Sequence, residues 1–309
     1  MVKGKVSVVI PARNEIFLNK TILDILQKAK GDIEVIVVLD GYWPTGYEVK
    51  GVVYNDEMID DPRVIYIHHG ESKGMRTSIN EGASIATGEF LLKSDAHCMY
   101  DKGFDLKLKE GIPHYKNDDN DDNWIAIPRR HRLDAEKWSL QPQADDRPPI
   151  DYEYLSSPGH YGAKGNKWNE RTIERMDKKE FMIDETMTFQ GSCYFMTLNN
   201  YLNRLGGMNP EGYGEFVREA QELCLKVWLS GGRVYTNKNT WYAHLHKGRV
   251  YGRMYYLDAR ELDSGNAYCD EFWFENKWKE AKYDMAWLIE RFMPVPNWNK
   301  ELIESVRRK

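Results

Sequence analysis

The chain has 309 residues, which is enough for one large α/β domain with an appendage or for two modest domains. Its hydrophobic fraction of 41% and its aromatic fraction of 13% exclude a disordered chain and allow a sizeable core. The formal net charge of -5 gives no sign of a nucleic-acid or membrane partner, although local patches rather than totals decide such binding.

The four cysteines and the opening segment bear on where the protein works. The cysteines form no CxxC pair and no zinc-finger spacing, which is typical of a reduced protein. The opening segment runs directly into a strand pattern, without the apolar region and cleavage site of a signal peptide. No uncharged apolar run approaches the roughly 18 residues that a membrane span needs. We therefore expect a soluble, cytoplasmic protein without a membrane anchor.

The first hundred residues alternate between strand-like and helix-like patterns. Short apolar runs rich in β-branched residues predict buried parallel strands, and apolar residues at helical spacing predict the helices between them. The predicted strands are 6–10, 34–39, 64–68 and 90–93, and the predicted helices are 19–30 and 78–87. This alternation indicates a doubly wound α/β sheet, whose ligands bind beyond the carboxyl ends of the strands.

The rest of the chain is less regular. Residues 115–180 contain an acidic loop and a long stretch rich in Pro, Gly, Lys and Asp, so we predict an irregular insertion there, on the acceptor side. Further predicted elements are a strand at 188–197, a helix at 215–229 and short strands at 233–236 and 240–245. From residue 251 onward the sequence is aromatic-rich and helical in pattern, which predicts a helical C-terminal extension over 251–309.

The triplet Asp95-Ala96-His97 follows the fourth predicted strand of the alternating region. Residues two apart in an extended segment face the same side, so one metal ion could receive both the carboxylate and the imidazole. A divalent cation held there would neutralise the diphosphate of a sugar nucleotide as it leaves. Such a triplet alone is not specific, and its place after a buried strand is what favours a metal site.

The N-terminal half resembles the GT-A glycosyltransferases, and Asp95-Ala96-His97-Cys98 is similar to the Asp-x-His-Cys metal motif of the polypeptide N-acetylgalactosaminyltransferases. The segments 8–15 and 39–41 resemble the parts of those enzymes, and of the inverting family 2 glycosyltransferases, that approach the nucleotide. Matching positions extend to about residue 250, and 115–180 is poorly matched. The resemblance implies an α/β fold, with a Rossmann-like GT-A sheet over 1–250 and the helical extension after it.

The same resemblance implies a set of donor-binding residues. Asp40 would contact the uracil or ribose, the turn 190–192 would line the sugar pocket, and the segment 247–251 would form a lid over the diphosphate. The residues predicted to bind the UDP-sugar are Pro11, Arg13, Asn14, Glu15, Asp40, Gly74, Arg76, Asn80, Gly191, Lys247, Arg249 and Tyr251. Structural alternatives stay open: a turn cap for Asp40, a helix start for 14–15 and a solvated basic loop for 247–251.

The candidate catalytic residues lie on the predicted helix 215–229. Glu219-Ala220-Gln221-Glu222 occupies the place of Glu-Asn-x-Glu in the N-acetylgalactosaminyltransferases, and inverting relatives carry an aspartate as general base where this chain has Ala220. Retention is therefore favoured, with the leaving phosphate taking the proton. Glu219 and Glu222 are the predicted catalytic residues. A general-base role of Glu219 keeps inversion open, and Glu222 could equally be an ordinary polar residue of an amphipathic helix.

The third metal ligand is predicted near the end of the last strand. His244 falls where the related enzymes carry their third metal-binding histidine, and His246 is a rival ligand two residues further on. Asp95, His97 and His244 together would give a mixed nitrogen and oxygen site suited to Mn²⁺ or Mg²⁺. A buried histidine of the core is the alternative for His244.

We therefore predict a metal-dependent glycosyltransferase that moves a sugar from a UDP-sugar to an acceptor hydroxyl. The acceptor is open between a polysaccharide, a protein, a small molecule and a hydroxymethylated DNA base; for DNA, the basic run 129–132 and the C-terminal aromatic residues would supply the contacts. A sugar-phosphate nucleotidyltransferase is one alternative, although such enzymes open with a glycine-rich basic loop that the segment 11–15 does not resemble. A catalytically inactive nucleotide-sugar or carbohydrate-binding protein is the other.

Overall fold

The structure is a computed structural model of the whole chain. It describes all residues except 44, 50, 51, 56, 117–120, 143–146 and 309, and it leaves out the side chains of 45–47, 49, 52–55 and 249. The predicted acidic loop therefore lies partly outside the described residues, and so does the side chain of Arg249.

The strands, in chain order, are β1 (Val2–Ala12), β2 (Ile33–Asp40), β3 (Thr45–Val49), β4 (Val52–Asn55), β5 (Val64–His69), β6 (Gly88–Ser94), β7 (Cys98–Tyr100), β8 (Trp124–Asp134), β9 (Ser139–Leu140), β10 (Glu153–Leu155), β11 (Gly165–Lys167), β12 (Ile183–Glu185), β13 (Cys193–Thr197) and β14 (Arg233–His244). The α-helices are α1 (Leu18–Lys28), α2 (Met75–Ile85), α3 (Phe104–Glu110), α4 (Ile112–Tyr115), α5 (Asn169–Arg175), α6 (Glu219–Leu229), α7 (Gly248–Tyr251), α8 (Ala259–Phe274), α9 (Met285–Phe292) and α10 (Lys300–Ser305).

The central sheet has the order β12-β14-β8-β13-β6-β1-β2-β5. Strands β6, β1, β2 and β5 are parallel, which confirms the predicted alternating half. Strands β1 and β2 are buried along most of their length because helices cover the sheet, and this is why their sequences are continuous apolar runs rather than alternating ones. Two small hairpins, β3-β4 and β10-β11, stand apart from the sheet.

The second half of the sheet is mixed. Strand β13 is antiparallel to both β6 and β8, whereas β8 and β14 are parallel. The carboxyl ends of β6, β1, β2 and β14 therefore meet the amino end of β13 at one edge of the sheet. This edge collects the residues that follow or precede those strands, and it is where ligands of such folds bind.

The segment 115–180, which was predicted to be an irregular insertion, is partly regular in the structure. It contains β8, an eleven-residue strand in the middle of the sheet, between β13 and β14. The predicted strands 233–236 and 240–245 form a single strand, β14, with a register shift between Asn237 and Trp241. The predicted helix 215–229 begins only at Glu219, after Arg218 with a positive φ of 59°.

The C-terminal helices pack onto the body of the protein. Trp273 of α8 and Trp298 are buried, and their apolar neighbours share one core with the sheet. The ring of Phe292 in α9 meets that of Trp228 in α6 edge-on, with centroids 5.3 Å apart. Aromatic residues of the extension therefore serve the core, and the division of the chain at residue 250 stays a prediction. Within the described part of the chain, no helix combines the length and the apolar character needed to cross a membrane.

Glu34 in β2 connects this strand to β1 and to the start of β6. Its buried carboxylate accepts hydrogen bonds from Ser7 Oγ at 2.5 Å and from the backbone N–H of Thr87 at 2.7 Å, and it pairs with Lys5 Nζ at 2.8 Å. Burial alone would raise the pKa of Glu34, but these donors outweigh it and lower the pKa from 4.5 to about 2.

A depressed pKa means that Glu34 stabilises the folded state above pH 4.5 and loses this effect as the pH falls towards 2. We expect Glu34→Gln to reduce the free energy of unfolding by about 2 kcal/mol at pH 7. The difference from the native chain should shrink steadily between pH 5 and pH 3. Urea unfolding at a series of pH values measures it, and a difference that does not change with pH would contradict the assignment.

Candidate active site

A cavity of about 550 Å³ opens at the edge of the sheet where the strand ends meet. Its lining comes from the turn after β1, the end of β2, the start of α2, the turn after β6, the turn before β13, the segment before α6, and the end of β14 with the segment that follows it. These parts are far apart in the chain, and the strand order alone brings them together.

Three potential metal ligands converge on this cavity. Asp95 and His97 lie in the turn after β6, and His244 ends β14. The Nε2 atoms of His97 and His244 are 3.1 Å apart, and Asp95 Oδ2 lies 3.2 Å from His244 Nε2 and 3.9 Å from His97 Nε2. Within the described residues these three form the metal-capable group, and His246 is not part of it. The structure thus brings together the three residues predicted as ligands.

The tautomer of His97 is set by its neighbour Glu15. His97 Nδ1 lies 3.2 Å from Glu15 Oε2, so Nδ1–H donates to the carboxylate and Nε2 keeps its lone pair for a metal. Lys247 Nζ contacts the other carboxylate oxygen at 2.5 Å. Burial opposes ionisation of Glu15, but His97 and Lys247 outweigh it and lower its pKa. Glu15 is therefore a negatively charged support for a metal-binding imidazole.

The charges of the other two ligands also favour a cation. Burial lowers the pKa of His244 to about 4, so its imidazole is neutral near pH 7, as a metal ligand must be. Burial would raise the pKa of Asp95, but the ammonium of Lys93 and the imidazoles of His244 and His97 together outweigh it and keep that pKa well below its usual range. The donor set is thus one carboxylate and two imidazoles, and the imidazole of His244 is neutral near pH 7.

Lys93 is buried beneath the cluster and joins it to Glu219. Its Nζ lies 2.5 Å from Asp95 Oδ1, 3.2 Å from Glu219 Oε1 and 2.6 Å from the carbonyl oxygen of Gly191. Burial disfavours the charged amine, but the two carboxylates raise the pKa of Lys93. Burial and the charge of Asp95 in turn raise the pKa of Glu219 against the effect of Lys93. Glu219 therefore lies beside the metal cluster with an ammonium as its partner, behind the residues that line the cavity, and its catalytic role stays a prediction.

Gly191 gives Glu219 the space it occupies. A Cβ at position 191 would overlap the carboxylate of Glu219, which is the mobile end of a side chain. We expect Gly191→Ala to push this carboxylate away from Lys93 and to lower the predicted activity at least about tenfold, while the melting temperature changes little. Initial rates and thermal melts of the purified variant test this. A variant with native rates would show that the position of Glu219 does not matter.

Asp40 ends β2 and shapes the neighbouring turn. Its carboxylate accepts hydrogen bonds from Ser72 Oγ at 2.6 Å, Lys73 N at 2.7 Å and Gly74 N at 3.1 Å, and His69 Nδ1 lies 2.9 Å away. These four contacts hold the turn that leads into α2, and Asp40 and Gly74 both line the cavity. The turn-capping alternative thus describes what the structure contains, and contact with a nucleoside stays a prediction.

The turn after β1 is joined to the segment that follows β14. Arg13 Nη1 lies 3.1 Å from Glu215 Oε2, and its guanidinium stacks 4.8 Å from the ring centroid of Tyr255. Asn14, with a positive φ of 52°, donates from Nδ2 to the carbonyl of Met254 at 3.0 Å. Pro11, Arg13 and Glu15 line the cavity, and the side chain of Asn14 connects the two segments beside it, so donor binding by these residues stays a prediction.

Arg76 and Glu222 depart from their predicted roles. The two side chains are buried and form an ion pair with each other. Glu222 also accepts from the backbone N–H of Asn209 at 2.9 Å and lies 2.7 Å from Lys226 Nζ. Neither residue lines the cavity. Because their charged groups are used inside the protein, we assign both to the fold and remove them from the donor-binding and catalytic candidates.

Asn80 and Tyr251 also lie outside the cavity lining. Asn80 bonds to the backbone N–H and carbonyl of Met208 and accepts from the hydroxyl of Tyr201 at 2.7 Å, so it fixes a loop. Tyr251 packs edge-on against Phe17, with ring centroids 5.2 Å apart. Of the predicted lid 247–251, Lys247 and Gly248 line the cavity.

Several lining residues were not predicted. These are Phe216, Arg253, Tyr255 and Leu257, and the buried Lys93 beneath the cavity belongs with them; Gln190, which also lines the cavity, belongs to the predicted turn 190–192. A lysine at the second-last position of a core strand is the one sequence signal that could have been used, because such a charge needs buried partners. The others lie in loops whose direction the sequence does not determine.

The basic run 129–132 is mostly engaged within the protein. Arg129 pairs with Asp151 at 2.9 Å, and the buried Arg130 pairs with Glu153. Two of the cations that were predicted to contact DNA phosphates are therefore already paired with carboxylates of the protein.

An α/β sheet with this strand order, a cavity at the strand ends and an aspartate–histidine cluster after β6 define a glycosyltransferase of the GT-A type. Residues 7–206 match the family described as glycosyl transferase family 2, and the chain belongs to this family.

Two relatives support this assignment. The chain is 27% identical over 254 residues to the putative polypeptide N-acetylgalactosaminyltransferase 13 of Drosophila melanogaster, and the match covers 75% of this chain and 40% of that protein. The crystal structure of GalNAc-T7 with UDP, GalNAc and Mn²⁺ is similar, with a TM-score of 0.66, 16% identity and coverage of 97% of this chain and 54% of that chain. The likeness confirms the predicted GT-A fold. This chain spans about half or less of the length of these two relatives.

Proposed function

We propose that this chain transfers a sugar from a UDP-sugar to an acceptor hydroxyl and needs a divalent cation to do so. The observation that carries the proposal is the convergence of Asp95, His97 and His244 in the cavity at the strand ends. The structure named above as similar holds UDP, GalNAc and Mn²⁺, which agrees with this choice of donor and metal.

The donor atoms fit Mn²⁺ or Mg²⁺. Asp95 would supply a carboxylate oxygen, and the tautomer fixed by Glu15 leaves the Nε2 atom of His97 available, next to the same atom of His244. When bound, the cation supplies Lewis-acid stabilisation of the negative charge on the leaving diphosphate. Arg13 and Lys247 line the cavity beside the cluster and would provide further positive charge for the phosphates.

The pairing of the carboxylates near the cavity supports a proposal that the anomeric configuration is retained. Glu15 pairs with Lys247, Asp95 with Lys93 and Glu215 with Arg13, while Asp40 is committed to its turn. Glu219 is buried against Lys93.

No described carboxylate at the cavity is therefore left without a partner to act as a general base. In the proposed reaction the acceptor oxygen bonds to the anomeric carbon on the face from which the diphosphate departs, and the hydroxyl proton goes to the leaving phosphate oxygen.

Glu219→Gln tests the retaining route. The substitution removes one charge beside Lys93 without changing size, and we expect a rate about 10 to 100 times lower with the same product anomer. NMR of the anomeric proton gives the configuration. An inverted product from the native enzyme would show instead that a carboxylate on α6 acts as the base.

A screen of UDP-sugars for slow hydrolysis, with Mn²⁺ and with a chelator, tests the function itself. We expect release of UDP from at least one donor in Mn²⁺ and at least tenfold less with the chelator. Release of pyrophosphate from UTP and a sugar 1-phosphate would support a nucleotidyltransferase instead. Binding of a donor without turnover, with or without acceptors, would support a catalytically inactive binding protein.

The acceptor stays open between a polysaccharide, a protein and a small molecule. The internal ion pairs of Arg129 and Arg130 weaken the case for a hydroxymethylated DNA base. The same hydrolysis screen, repeated with candidate acceptors, would reveal the acceptor class by a faster release of UDP.

A further inference from the structure

Gln190 lies at the far end of the cavity from the nucleoside-side residues. Along the sheet edge, Asp40 ends β2, Arg13 follows β1, Asp95 follows β6 and Gln190 lies in the turn before β13. Since β2, β1, β6 and β13 are successive neighbours in the sheet, these residues succeed one another in the same order. If the nucleoside lies near β1 and β2 and the diphosphate lies at the Asp95 cluster, the sugar lies next to Gln190.

The orientation of the Gln190 amide is fixed by the groups behind it. Arg130 Nη1 donates a hydrogen bond to Gln190 Oε1, and Ser192 Oγ donates to the same oxygen at 3.2 Å. A guanidinium has donors only, so the atom that faces Arg130 must be the amide oxygen, and the amide nitrogen must point away from it.

The supporting groups are themselves held in place. Arg130 is buried and its other nitrogen pairs with Glu153, and the hydroxyl of Tyr242 lies 2.8 Å from Ser192 Oγ. These contacts prevent the amide from turning over, because a reversed amide would place its NH₂ group against the guanidinium. The position of the amide nitrogen is therefore preorganised before any ligand binds.

We propose that the amide nitrogen of Gln190 recognises the donor sugar by donating a hydrogen bond to one of its oxygen atoms. This inference rests on the proposed function and adds a residue that selects the sugar. Among the described residues none accepts a hydrogen bond from this nitrogen, whereas both supporting contacts use the oxygen. The ligand group is a hydroxyl or carbonyl oxygen of the sugar, turned towards β13. A sugar that lacks an oxygen at this point leaves the amide unpaired and is bound more weakly.

Two substitutions separate the hydrogen bond from the space that the side chain fills. Gln190→Ala removes the donor and opens room for the sugar. Gln190→Glu keeps the size and the contact with Arg130, but it places a carboxylate oxygen where the NH₂ group was, so an acceptor faces an acceptor. Gln27→Glu, on the exposed side of α1, is the matched control for the change of charge.

Binding of UDP and of a panel of UDP-sugars is measured by calorimetry with Mn²⁺ and without acceptor. For the donor that the native chain prefers, we expect about tenfold weaker binding in Gln190→Ala and a larger loss in Gln190→Glu. UDP itself should bind within about twofold of the native value in Gln190→Ala, and Gln27→Glu should bind every ligand as the native chain does.

The outcomes separate this inference from the proposed function. If the native chain binds neither UDP nor any UDP-sugar, the proposed function fails. If the native chain binds them and Gln190→Ala weakens UDP and UDP-sugars equally, or leaves both unchanged, the role of Gln190 is overturned while the function stands. Thermal melts of each variant show that the fold is retained.

Discussion

Replacement of His97 by alanine is expected to lower the rate of sugar transfer by a factor of about 10³ at saturating donor. The substitution removes one of three converging ligand atoms while the neighbouring pairs, Glu15 with Lys247 and Asp95 with Lys93, remain intact. The affinity for Mn²⁺, measured by titration in the presence of UDP, should fall by at least a factor of 10 to 100.

His114→Ala is the matched control, because His114 is an exposed histidine outside the cavity. It should transfer sugar at the native rate. A His97→Ala variant that keeps its activity in the presence of a chelator would refute the metal-dependent mechanism. If thermal melts show that this variant is unfolded, the imidazole is needed for the fold and its role as a metal ligand is not supported.

Arg76→Met is expected to reduce the free energy of unfolding by about 3 kcal/mol. The substitution has little effect on side-chain length, but it removes one of the two cations that pair with the buried carboxylate of Glu222. Only Lys226 remains as its partner. Denaturant unfolding at pH 7 measures the change. The size of the effect reflects the cost of an uncompensated charge in the interior more than the strength of the pair itself.

Arg63→Met provides the comparison, because Arg63 forms a solvent-exposed pair with Asp61 and should cost less than about 1 kcal/mol. If Arg76→Met is as stable as the native chain but binds UDP much more weakly, Arg76 belongs to the nucleotide site as the sequence suggested, and our structural assignment is wrong.

The sequence was most informative where a residue's role follows from its strand. Val8, Val9 and Ile10 lie in an apolar run because both faces of β1 are covered, and the same logic places β2 and β6. Once those strands are parallel, Asp40 and Asp95 must share an edge. The prediction of the cavity edge therefore needed only the local pattern and the rule that ligands bind at carboxyl ends.

The sequence was less informative where pairing between distant segments decides the outcome. Strand β8 follows an acidic loop, and nothing local shows that it inserts between β13 and β14. Arg76 and Glu222 were assigned to the site because the resemblance to known enzymes suggested it. Their side chains instead pair with each other, and this contact joins residues that are 146 positions apart in the sequence. The orientation of Gln190 likewise depends on Arg130, which lies on another strand.

The contacts between the turn after β1 and the segment after β14 have a consequence for synthesis of the protein on the ribosome. Lys247 contacts Glu15 across 232 positions, and Met254 contacts Asn14 across 240. The four parallel strands β1, β2, β5 and β6 pair with one another and lie in the first hundred residues, so this half of the sheet can begin to fold early. The wall of the cavity that the two contacts build is missing until residue 254 has left the exit tunnel. A nascent chain should therefore be able to form the parallel half of its sheet long before the wall of the cavity is complete.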